Sequence, residues 1–150
     1  MAVEIGVVCP KRPDPEPLAL ATGFVMRTIL GVSNIEVELV VEEEDTWTFH
    51  WGGAGQAAAF LVPPRMHEFA GQWFASFQPG TRGEPVPAML MIVLAACAAL
   101  LTGGTILDEA HQFERTDLTP DAVLGPALRM SPLSPEAALH LLRTGRSEAR

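Results

Sequence analysis

The hydrophobic pattern along this chain changes period several times, and each change marks an element. Val3–Cys9 is a short β-branched run closed by Pro10, the pattern of a buried strand. Pro10, Pro13, Pro15 and Pro17 make the next stretch a loop. Helical spacing begins at Leu18 and runs to Leu30, with Leu18, Ala21, Val25, Thr28 and Ile29 on one face and Gly31 at C′. Asn34–Glu44 then alternates, with Ile35, Val37, Leu39 and Val41 opposite Glu36, Glu38 and Glu42. Thr46–Trp51 alternates again, setting Trp47, Phe49 and Trp51 against Thr46, Thr48 and His50. Joined around Glu43–Asp45, these two segments predict a hairpin with one solvated face.

Gly52–Gly55 reads as a loop, and Ala57–Val62 as a third antiparallel strand ended by Pro63 and Pro64. Met66, Phe69, Ala70, Trp73, Phe74 and Phe77 fit helical spacing and predict an amphipathic helix stopped at Pro79-Gly80. The competing reading is a strand over Gln72–Gln78, where Trp73, Ala75 and Phe77 alternate. Thr81–Val86 reads as loop. Pro87 then opens an apolar helix over 88–101 that ends at Gly103-Gly104, and Thr105–Leu107 follows as a short strand. After Phe113 the chain is rich in Pro, Asp, Gly and Ser, until Ser134-Pro135-Glu136 opens a short helix to Leu142 that Gly145 ends. The expected class is α+β, a small and mainly antiparallel sheet with helices packed on one face. Residues 1–115 form the domain, and 116–150 are a Pro-rich loop and C-terminal helix packed on it.

No residue between Glu84 and Asp108 is charged. That interval suggests a membrane span, but prolines interrupt its start and Gly-Gly its end. A continuous helix over 88–101 reaches only about 21 Å at the helical rise, short of a hydrocarbon core of about 30 Å. Aromatic belts and basic flanks are also missing. The expectation is a buried core helix and no membrane span.

Composition narrows the function. The net charge is −8, Lys11 is the one lysine, and the basic residues are scattered. A phosphate-tracking surface needs clustered cations, so nucleic acid is not an expected partner. A basic protein is. Cys9 and Cys97 give no disulfide framework, and Glu4 with Lys11-Arg12 sits wrongly for a secretory leader, so a cytoplasmic location is expected.

Catalytic signatures are missing: there is no G-x-S-x-G elbow and no histidine near either cysteine in sequence. Asp108-Glu109-Ala110-His111 matches a helicase box in letters only, because no phosphate-binding loop with its lysine accompanies it. Asp108, Glu109, His111 and Glu114 could instead offer metal ligands, but their spacing fits no recognised site. No cofactor is expected. The suggestive feature is acidic: Glu36, Glu38, Glu42, Glu43, Glu44 and Asp45 crowd one hairpin, with Trp47 and Trp51 as anchors if exposed. Two other readings stand beside a binding module. One is a small enzyme or ligand-binding domain with a pocket of Trp47, Trp51, Trp73 and a histidine (His50, His67 or His111). The other is a homo-oligomeric subunit, such as a homodimer, whose apolar helix is covered by its own copy.

Finally, Ala98–Asp108 (AALLTGGTILD) resembles a segment of small bacterial immunity proteins from toxin–immunity systems, several of which carry a helix, Thr-Gly-Gly, a strand and an acid in that order. The resemblance implies an α+β, non-enzymatic inhibitor of a cognate toxin, acting through an acidic surface. It carries over no individual binding residue.

Overall fold

A computed structural model describes residues 4–64 and 71–147. Its elements are β1 (Ile5–Cys9), α1 (Pro15–Leu30), β2 (Val37–Glu42), β3 (Thr46–Trp51), β4 (Gly55–Val62), β5 (Trp73–Pro79), α2 (Pro85–Thr102), β6 (Thr105–Leu107), α3 (Pro120–Met130) and α4 (Pro135–Thr144). The six strands form one antiparallel sheet in the order β2-β3-β4-β5-β1-β6, so the first strand is internal and β2 and β6 are the edges. The α+β class and the single buried apolar helix are both present.

The inward face of the sheet alternates bulk and space. Trp47 lies across from Ala59, which lies across from Phe77, which lies across from Ile5. All four are buried, and the alanines of β4 leave room for α2 to approach. The helix packs on β1, β4 and β5 below and on α1, α3 and α4 around its remaining sides. Fourteen of its residues are buried, which explains why it is apolar all round. Val123, Leu124 and Ala127 of α3 and Ala138, Leu141 and Leu142 of α4 join the same core, so residues 116–147 share the hydrophobic cluster of the sheet.

Several expectations need correction. The apolar helix is longer than 88–101: it runs from Pro85 to Thr102, 18 residues. At the helical rise that is about 27 Å, so the length argument against a membrane span fails, and the burial of its sides by this chain is the sounder one. Pro85 and Pro87 begin the helix rather than interrupt it, because the first turn needs no intrahelical N–H donors. The same rule moves the start of α1 forward to Pro15, capped by Asp14, whose Oδ1 accepts from the Glu16 amide at 3.3 Å. Its buried face holds Leu18, Thr22, Val25, Met26 and Ile29, whereas Thr28 is exposed.

The region around Trp73 is a strand, not the end of a helix. β5 lies between β4 and β1, so both of its edges are hydrogen-bonded. Its alternation is blurred because Phe74, on the outward face, is also large and apolar. That ring fills the place over Gly6, where a Cβ would lie only 2.7 Å from it. Met66 and Phe69 of the expected helix lie outside the described residues. The tail holds α3, which its composition conceals: Thr119 caps it through Ala122 N, Pro120 sits at its first position, and Pro126 lies inside it.

Candidate functional site

The acidic residues lie on and around β2: Glu38 and Glu42 in the strand, Glu36 just before it, and Glu43, Glu44 and Asp45 in the turn to β3. Glu36, Glu38, Glu42, Glu43 and Glu44 are exposed, and Asp45 is half-buried. Among the described residues none of these carboxylates has a hydrogen bond or an ion pair. The turn itself is held by its backbone: Glu43 N donates to Thr46 O, and Leu61 N to Asp45 O at 2.8 Å. Arg12, reaching from the β1–α1 loop, donates Nη2 to the Glu44 carbonyl. Its guanidinium also lies 5.4 Å from the ring centres of both Trp47 and Trp73.

The expected alternation of β2 holds only at its start. Val37 is buried, but the register slips between Leu39 and Val41, and beyond that bulge Val40 and Val41 are 50% and 38% exposed. The outer edge of β2 has no strand partner among the described residues. The hairpin therefore presents an open edge with two exposed valines inside a rim of unpaired carboxylates. Trp47 and Trp51 are not part of that surface. They are 1% and 2% exposed in the core, so neither can anchor a partner.

Asp108 is a structural acid. Its Oδ1 accepts from Gln112 N at 2.6 Å and its Oδ2 from Phe113 N at 2.8 Å, closing the turn in which His111 takes a φ of 55°. Glu109 and His111 are exposed, and among the described residues no three His, Cys, Asp or Glu side chains come together as ion ligands. The Gly103-Gly104 joint is structural as well. Gly103 has a φ of 71° as the left-handed cap of α2, and a Cβ on Gly104 would stand 2.5 Å from the Val8 carbonyl oxygen.

Among the described residues, Trp47 and Trp51 lie in the filled core rather than on a pocket wall, and Trp73 is half-buried under Arg12; His67 lies outside the described residues. His50 instead lines an open cavity of about 320 Å³ with Gly52–Gln56, Thr81 and Glu84. Near it, beyond the N-terminal end of α2, a cavity of about 360 Å³ is lined by Glu114, Glu136, His140 and Arg143. Sequence reasoning missed this second one because two of its walls come from the tail. Its signal was the i, i+4, i+7 spacing of Glu136, His140 and Arg143 in one short helix.

Both cysteines are buried. Burial pushes the Cys97 thiol up to about 11, against a smaller opposite effect of the neighbouring Thr22 hydroxyl. That hydroxyl makes no well-formed hydrogen bond, in keeping with its minor effect. Cys9 is raised in the same way, opposed by Thr102. Neither is a nucleophile at neutral pH. Compared with protein-family models, with curated proteins and with solved structures, the chain matches none.

Proposed function

We propose that this chain is a non-enzymatic protein-binding module whose docking surface is the open edge of β2, and that its partner is a basic protein. The observation that carries this reading is the exposed, bulged edge strand with Val40 and Val41 inside five unpaired carboxylates. An exposed strand edge invites pairing, and natural proteins protect such edges with charge and bulges. Here the protection is selective. A second copy of the chain would bring the same negative charge to the edge and be repelled, which argues against a homodimer through β2. A cationic segment would be attracted and could add its backbone to the sheet. An immunity-type inhibitor of a basic toxin is the form of module we propose, supported by this acidic edge and by the likeness at Ala98–Asp108. Because Gly103, Gly104 and Asp108 each have a structural reason to be there, the edge supports the reading more strongly than the likeness does.

Replacing Glu42, Glu43 and Glu44 together by lysine tests it. Association with the protein that the chain binds in its native host should slow about tenfold or more at low salt and lose most of its salt dependence, since steering by opposite charge acts on the on-rate. Unchanged association kinetics would rule out β2 as the docking surface.

A further inference from the structure

The cavity between α4 and the turn at Gly83 is a second site, independent of the β2 edge. On α4, Glu136, His140 and Arg143 follow i, i+4, i+7 spacing and so share one face. Glu114 is brought against that helix by its own backbone, its amide donating to the Arg143 carbonyl at 2.9 Å. These four side chains line a cavity of about 360 Å³, together with Leu139 and Gly83. Arg143 and Leu139 also line the adjoining cavity of about 170 Å³. The larger volume lies in the range of small-molecule sites.

Opposite charges sharing one wall normally pair. Here none of the four makes an ion pair or a side-chain hydrogen bond among the described residues, and Arg143 Nε is shielded from solvent without a partner. Nε lies behind the cavity wall, so the terminal nitrogens of the guanidinium are the donors left to hold a carboxylate in the cavity. The two glutamates make the same wall a poor place for a free anion, and Arg143 makes it a poor place for a free cation. A molecule carrying both charges satisfies each, and Leu139 supplies an apolar surface for its side chain.

We propose that this cavity binds a small zwitterion of α-amino-acid size, its carboxylate on Arg143 and its ammonium group between Glu114 and Glu136. The test is an amide-resolved NMR titration of the whole chain with L-leucine. N-acetyl-L-leucine serves as an anion-only control and isopentylamine as a cation-only control. Saturable shifts confined to Gly83, Glu114 and the Glu136–Arg143 turn are expected for L-leucine, with each control at least about tenfold weaker, the loss of one charged contact. Arg143→Gln and Glu136→Gln should each weaken L-leucine about tenfold. Glu136 is exposed at the start of α4, so its variant remains informative even if the Arg143 variant folds poorly. The proposal is overturned if L-leucine produces no saturable shift, if either control binds as tightly as L-leucine, or if Glu136→Gln leaves the affinity unchanged.

Discussion

Alanine at Gly104 probes the joint between the core helix and the sheet. A Cβ there would lie 2.5 Å from the Val8 carbonyl oxygen, 3.0 Å from Thr102 Oγ1 and 3.3 Å from Val7 Cγ1. The Val8 backbone cannot yield, because β1 is paired on both edges, with β5 and with β6. The adjustment therefore falls on β6, a three-residue edge strand, which must retreat by about 0.9 Å to restore an ordinary 3.4 Å contact. Overpacking of this kind costs roughly 1–3 kcal/mol, partly offset by about 0.4–1 kcal/mol from a less flexible unfolded chain. A net loss of about 1–2 kcal/mol follows.

Two companion variants separate steric from conformational cost. Gly103 has open space around its Cα but a φ of 71°, so alanine there should lose roughly 1–2 kcal/mol through the left-handed backbone alone. Gly53 has neither restriction, and alanine there should be neutral or stabilising by about 0.4–1 kcal/mol. Urea unfolding of all three, with unchanged denaturant slopes, gives the comparison. A Gly104→Ala protein within about 0.5 kcal/mol of the parent, or a Gly53→Ala protein as damaged as the other two, would refute the reasoning.

Other outcomes follow from the same structure. Leu94 is fully buried on α2, so Leu94→Asp should leave the chain unfolded by circular dichroism, since an unpaired buried charge costs several kcal/mol or more; a folded variant would mean the helix has an exposed side. The Cys97 thiol is raised from 9.0 to about 11, so its contribution to stability is complete below pH 9.0 and lost as pH rises through about 11. It is worth about 3 kcal/mol by the usual conversion. Unfolding free energy should fall over that window, less steeply in Cys97→Ala, and both thiols should resist iodoacetamide until the chain unfolds. Arg12 touches Trp47, Trp73 and the Glu44 carbonyl, and each cation–π contact is worth roughly 0.5–1 kcal/mol. Arg12→Ala should lower stability by about 1–2 kcal/mol and shift tryptophan emission. An unchanged spectrum would show that the contacts do not persist in solution.

The legible parts of this fold were those where one physical rule acted alone. The β2–β3 hairpin announced itself because Trp47, Phe49 and Trp51 face a covered side and Thr46, Thr48 and His50 do not. β1 and the Gly103 stop were equally plain. β5 was obscured because Phe74 makes its outer face apolar too, giving helical and strand spacing together. α1 and α2 begin earlier than expected because proline, a breaker inside a helix, is harmless in the first turn, and α3 was hidden by the same residue at Pro120 and Pro126. For the candidate site, the exposed carboxylates on and around β2 could be named from their letters. The burial of Trp47 and Trp51 depends on which face of the sheet the helices cover, and the bulge that exposes Val40 and Val41 has no sequence marker. The cavity at Arg143 joins Gly83, Glu114 and α4, which only the folded topology brings together.

Hydrogen exchange across β2, with and without the basic protein that the chain binds in its native host, tests the central claim most directly. New protection is expected at those amides from Glu38 to Glu42 that point away from β3, where the sheet has an open edge; Glu43 N is already bonded to Thr46 O and should not change. Protection elsewhere, for instance along the exposed Leu20 and Phe24 of α1, with β2 exchanging at its free rate, would contradict it.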